Sequence, residues 1–248
     1  MNSSASFSPP IRNRSASERA DPAACAAAVS ESPRAVPLFS IIVVDYQGTN
    51  SHETLLRGLS SIDAQTFRDF EVLCYHDGPL LYPDRLFPHP VICTDRRYGD
   101  WGHSLRDIGI RQASGDYILH FNADNLLYPN ALEVIALEIG RGPRLFDETG
   151  SAVDTNDIVI FPVKMWNLIK FRTVTMQMKG PPSFFFILNG APPIVQYIDC
   201  MQLVMKRELW LAEGGWHDKR ELGDGFMYER FAHKYGYRTV GPVLGEHF

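Results

Sequence analysis

The 248-residue sequence lacks any apolar stretch long enough to cross a bilayer. Its longest oily run, Phe184-Phe185-Phe186-Ile187-Leu188, falls far short of the ~20 residues a spanning helix needs. No surplus of basic charge is present either. Lys and Arg number 24 against 29 Asp and Glu, a formal net charge of -5, which argues against a nucleic-acid partner. A local basic pocket for a diphosphate stays open, since net charge does not describe one cleft. Cysteine is sparse: Cys25, Cys74, Cys93 and Cys200 are widely spaced and form no C-x-x-C or Cys/His cluster. They read as reduced, mostly buried thiols. The first residues are polar and Ser-rich, without a hydrophobic signal core. The expectation is a soluble cytoplasmic protein with no integral membrane segment, loose peripheral attachment to a membrane being left open. Residues 1–36 hold almost no large apolar side chains, so they are expected to be a disordered tail.

Order is expected from Pro37 onward. Phe39-Ser40-Ile41-Ile42-Val43-Val44 is a continuously apolar, β-branched run suited to a strand covered on both faces. Helical spacing follows from Thr54 to Ile62, then strand patterns at Phe70–Tyr75 and Val91–Cys93. A helix is predicted from about Gly102 to Ala113, a strand at Tyr117–Phe121, and another helix after Pro129. This alternation predicts an α/β fold with a mostly parallel sheet. Ligands of such sheets sit beyond the carboxyl ends of the strands, and Asp45, Asp77 and Asp124 each fall just past a predicted strand. The three acids are expected to converge on one cleft. Farther on, Asp157–Val163 and Gln202–Met205 read as strands, Arg207–Glu213 and Asp224–Tyr235 as helices, with irregular Pro- and Phe-rich sequence between.

Ser40-Ile41-Ile42-Val43-Val44-Asp45-Tyr46, the Gln65-Thr66 pair and Phe70-Glu71-Val72 running to His76-Asp77-Gly78 resemble the opening of family 2 glycosyltransferases with the GT-A fold. The likeness continues through Gly115–Asn125, similar to the strand that leads into that family's D-x-D metal motif. It goes on to Gly214-Gly215-Trp216 and the later acidic motif at Gly223-Asp224. It spans about Pro37 to Tyr237, and the expected division is a GT-A domain over 37–248, with a nucleotide-binding half (37–140) and an acceptor-side half (141–248). Two departures thin the carboxylates: Asn122 stands where the first acid of D-x-D would be, with Asn125 rather than a second Asp after the motif, and Gly223 precedes Asp224 where Glu is usual.

The resemblance implies transfer of a sugar from a nucleotide diphosphate donor to a glycan, lipid-linked or protein acceptor. A Mn2+ or Mg2+ ion would neutralise the leaving diphosphate. It implies Asp124 as metal ligand, Asn122 as an amide-oxygen or ribose contact, and His247 as a further metal ligand. Each has a plainer reading, an Asx turn for Asn122–Asn125 and a surface imidazole for His247. By the same resemblance Asp77 would accept from the nucleobase, or else merely cap its turn. Asp45 and Tyr46 would lie near base and ribose. Arg96, Arg97, Trp101 and Arg106 fall in the segment near the diphosphate, although an exposed Arg106 and a core Trp101 are equally open. Asp224 is the candidate general base of an inverting reaction, with Glu221 and Asp218 as alternatives, and Trp216 would suit sugar stacking. Two other readings remain: a non-catalytic nucleotide-sugar or glycan-binding module, and a nucleotidyltransferase. The second is disfavoured because Asp45–Asn50 is no Gly-rich phosphate loop.

Overall fold

A computed structural model describes residues 36–46, 51–80, 86–141, 157–171, 174–178 and 180–248. All but the last residue of the segment read as a tail therefore lies outside the described residues. The first half comprises β1 (Phe39–Tyr46), α1 (His52–Asp63), β2 (Phe70–Asp77), β3 (Val91–Cys93), α2 (His103–Gln112), β4 (Tyr117–Asn122), β5 (Leu126–Leu127) and α3 (Ala131–Gly140). The second half holds β6 (Ile158–Ile160), β7 (Val163–Trp166), β8 (Leu168–Phe171), β9 (Val174–Gln177), β10 (Phe185–Leu188) and a 3-10 turn at Cys200–Gln202. It continues with β11 (Leu203–Lys206), α4 (Arg207–Ala212), α5 (Gly223–Tyr235), β12 (Arg238–Thr239) and β13 (Gly245–His247).

Seven strands form one sheet in the order β12-β6-β11-β4-β1-β2-β3. Only β11 runs antiparallel to its neighbours β4 and β6; the other pairings are parallel. β1 lies in the interior of this sheet, and its run from Phe39 to Asp45 is buried. The period-2 alternation explains why the run is apolar throughout: Ile41 and Val43 pack with α1 and α3, Ile42 and Val44 with α2, α4 and α5. α1 starts where the Ser51 hydroxyl accepts from the Thr54 amide at 3.3 Å. It buries Leu55, Gly58, Leu59 and Ile62, one helical face.

Two expectations change. The strand read over Asp157–Val163 is two strands in two sheets, broken at Phe161-Pro162 because proline has no amide to continue a ladder. β6 stays in the large sheet, while β7 joins a four-stranded sheet ordered β10-β7-β13-β5. β1 and β2 also run farther than expected, through the pair Tyr46↔Asp77, so Asp45 lies inside a strand rather than beyond it. Of the thiols, Cys25 lies outside the described residues, Cys74 and Cys200 are buried, and Cys93 is exposed. Among the described residues no helix is long and apolar enough to cross a membrane.

Candidate active site

A cavity of about 720 Å³ opens at the carboxyl ends of β1 and β4, lined on that side by Val44, Tyr46, Asn122 and Asp124. Its opposite lining includes Asp199, Asp224 and His247, contributed by the second half of the chain. Of the three acids expected to converge, only Asp124 lines it. Val44 and Tyr46 face the cavity, so strand alternation turns Asp45 away from it. The Asp45 carboxylate is buried and pairs with His76 Nδ1 at 2.8 Å.

Asp77 is buried as well, and its carboxylate accepts from the backbone amides of Tyr98 at 2.7 Å and Gly99 at 3.0 Å. Asp100 in the same loop accepts from the Ser104 amide at 3.0 Å, holding the first turn of α2. The loop delivers Trp101, which is 58% exposed at the cavity wall, so the core reading of this residue does not hold. Trp101 has φ 61°, in the left-handed region costly for a bulky side chain, and Gly102 follows at φ 77°. A Cβ on Gly102 would run into Val44 and stand 2.8 Å from Arg106 Nη1; glycine there lets the guanidinium through.

Arg106 is only 2% exposed, so the surface reading fails, yet it lines the cavity. Its Nη1 donates to the Trp101 carbonyl at 2.7 Å, Nε to Cys200 Sγ at 3.2 Å, and Nη2 to the Asn122 amide oxygen. Among the described residues no carboxylate makes an ion pair with it. This is a buried cation held by neutral partners, an arrangement suited to receiving an anion. Arg96 and Arg97 are exposed, and the Arg97 guanidinium lies 5.5 Å from the centre of the Tyr46 ring.

His247 comes to the cavity because β13 pairs with β5, just beyond the Asn122–Asp124 turn, and with β7. Its Nδ1 is 3.3 Å from Asp199 Oδ2. Burial disfavours charge on this imidazole, but Asp199, with Asp124 and Asp224, outweighs it and lifts the ring to about 9. Burial pushes the Asp124 carboxyl up, opposed by His247. Burial also pushes Asp224 up to about 6, assisted by the charge of Asp199. Asp199 is held below the usual carboxylate range: burial opposes this, and His247 prevails. Asp199 was not singled out from the sequence. Its only local signal is the capping box Asp199-Cys200-Met201-Gln202, in which its carboxylate accepts from the Met201 amide at 3.1 Å.

The other sequence candidates separate. Asp218 pairs with Arg220 at 2.5 Å, which holds it down at about 2, and it does not line the cavity. Glu221 lines it but is exposed. Trp216 is fully buried, its ring stacked 5.5 Å from Trp210 and 5.2 Å from His103. It is a core residue and cannot stack on a sugar.

Residues 40–192 match the model of glycosyl transferase family 2. The chain belongs to that family. It is similar to the uncharacterized glycosyltransferase YwdF of Bacillus subtilis (strain 168), 32% identical over 103 residues, covering 40% of this chain and 37% of that protein. It is also similar to the uncharacterized glycosyltransferase RT0329 of Rickettsia typhi (strain ATCC VR-144 / Wilmington), 30% identical over 105 residues, covering 39% and 30%. The matches thus span about a third of these curated relatives' length. Among solved structures, residues 1–349 of S. aureus TarS in complex with UDP superpose with TM-score 0.59 at 14% identity, covering 84% of this chain and 60% of that one. The mannosyltransferase PcManGT from Pyrobaculum calidifontis, in complex with GDP-Man and Mn2+, gives TM-score 0.52 at 16% identity, covering 87% and 58%. The fold of this family 2 chain is GT-A, with a mostly parallel central sheet and flanking helices.

Proposed function

We propose that this chain is an active glycosyltransferase, moving a sugar from a nucleotide diphosphate donor to an acceptor hydroxyl with the help of a divalent cation. The observation that carries this is the buried Arg106, which makes no ion pair with a carboxylate among the described residues, in the same cavity as Asp124, Asp199, Asp224 and His247. Arg106 would hold the diphosphate, its planar fork being suited to phosphate oxygens. Tyr46 would stack on the nucleobase, with Arg97 over its ring. Asp45 would support this strand end through His76, and Asp77 would act by holding the loop that presents Trp101.

The donor set fits Mn2+ or Mg2+. Among the described residues no three His, Cys, Asp or Glu side chains form a ready cage, so substrate phosphates and water would have to complete the shell of a cation held here. Asp124 would be the principal ligand and Asp199 a further one, while His247, its ring lifted to about 9, would have to release its proton before it could ligate; the Asn122 oxygen is already engaged by Arg106 and serves better as a donor contact. When bound, the cation would supply Lewis-acid stabilisation of the leaving diphosphate. Asp224 is the general base: a carboxyl titrating near 6 is ionised at neutral pH and more basic than an ordinary one. One base with no covalent intermediate makes the reaction inverting.

The test is calorimetric titration with UDP, GDP, dTDP and CDP, with and without Mn2+, on wild type and Asp124→Ala. Metal-dependent binding of one nucleotide, lost in the variant, is expected. If no nucleotide binds in either condition, the donor site does not exist. Metal-dependent binding without release of diphosphate in the presence of acceptors would favour a binding module, the reading that the thinned carboxylates at Asn122 and Gly223 support.

A further inference from the structure

Between Gly180 and Ile198 the sequence contains no Asp, Glu, Lys, Arg or His. The fold gathers this uncharged stretch around a second cavity of about 500 Å³, walled by Phe186, Ile187, Leu188, Pro192, Ile194 and Tyr197. Ile187, Ile194 and Tyr197 are 40%, 46% and 50% exposed, so large apolar side chains form the open rim of this cavity. Lys164 lies 4.9 Å from the centre of the neighbouring Phe185 ring, but its ammonium is paired with Glu246 at 3.2 Å.

The groove is tied to the charged cleft through one buried side chain. Gln202 Nε2 donates to the Leu188 carbonyl at 2.8 Å on the groove wall, and its Oε1 accepts from the Asp199 amide at 2.9 Å on the cleft wall. The first turn of α5, which carries Asp224, presses on the same loop: a Cβ on Gly225 would sit 3.1 Å from Val195 Cα. The groove wall is thus tied to Asp199 through the Gln202 side chain, and the loop beside it abuts the turn of α5 that carries Asp224.

We propose that this groove holds the hydrocarbon part of an uncharged acceptor, whose hydroxyl end is presented to Asp224. This deepens the acceptor side of the reading above and rests on it. The concavity has the volume of a small-ligand site. A bilayer-docking surface would intersperse Lys and Arg with its apolar residues to meet lipid headgroups, and the stretch from Gly180 to Ile198 has neither.

The experiment measures displacement of the neutral fluorophore N-phenyl-1-naphthylamine by n-alkyl β-D-glucopyranosides of increasing chain length, below micelle formation. A parallel calorimetric nucleotide titration is run on each protein. Affinity should rise about fourfold per added methylene, the transfer of one CH2 out of water. Ile187→Asp, at an exposed position of an edge strand, should abolish that dependence and leave nucleotide affinity unchanged; Ile187→Leu should keep both. Nucleotide binding without any chain-length dependence would overturn the acceptor inference and leave the donor reading standing. Chain-length dependence without nucleotide binding in the wild type would sink the donor reading, and the groove would then be no acceptor site. Co-sedimentation of wild type with phosphatidylcholine vesicles would overturn the proposal in favour of a membrane surface. A dimer dissociated by Ile187→Asp would overturn it in favour of a second copy of the chain.

Discussion

Asp224→Asn should make the protein more stable at alkaline pH while removing its turnover. In the folded chain the Asp224 carboxyl titrates near 6 against the ordinary 3.8. Burial, with the charge of Asp199, therefore favours its protonated form. A gap of about two pH units corresponds to about 3 kcal/mol, taken as an upper bound. The side chain also opens on the cleft, where solvent screens it, so about half that value is the better expectation. Because the folded pKa is raised, the folded chain binds the proton more tightly than the unfolded one. The penalty is absent below about pH 4, grows as pH rises toward 6, and is complete above about pH 7. Asparagine has nearly the same shape and no charge to bury. In urea denaturation with EDTA present, the variant should exceed wild type by about 1–3 kcal/mol at pH 8, and the two should converge near pH 4. Loss of the base should lower turnover by about 10²–10⁴ in the same variant. Equal stabilities at pH 8 would refute the burial argument, and retained turnover would remove Asp224 from the base role whatever the stability did.

Three further outcomes follow from single contacts. Arg106→Lys should weaken nucleotide binding by about 10- to 100-fold in calorimetry, because one ammonium cannot reproduce a planar fork toward phosphate; an unchanged affinity would remove Arg106 from the diphosphate site. Trp216→Ala should cost about 3–5 kcal/mol in denaturant unfolding, as expected of a fully buried indole. Lost acceptor affinity at unchanged stability would restore the sugar-stacking role instead. Gly58→Ala would drive a Cβ into the Ala123 carbonyl oxygen, pushing α1 off the Asn122–Asp124 turn. Its stability should fall by about 1–3 kcal/mol, and metal-dependent nucleotide binding of the folded fraction should weaken; wild-type values in both assays would show that the turn tolerates the shift.

The first half of the fold was legible because its signals are local. The apolar run of β1, the i, i+3, i+4, i+7 face of α1 and the glycine before α2 each lie within a dozen residues. The break at Phe161-Pro162 was written in the sequence too, but what it separates, a strand of one sheet from a strand of another, depends on partners far along the chain. By itself the sequence determined an α/β order of elements, the family motifs and a set of acids near strand ends. Only the tertiary structure decided which acids share a cleft. Alternation turned Asp45 inward to His76, and the loop amides took the carboxylate of Asp77. Pairing of β13 with β5 and β7 carried His247 in beside Asp199, a residue that local pattern marks only as a turn cap. Arg106 and Cys200 stand 94 residues apart and touch at 3.2 Å. Contacts of that kind come from packing two layers onto one sheet, and no periodicity along the chain encodes them.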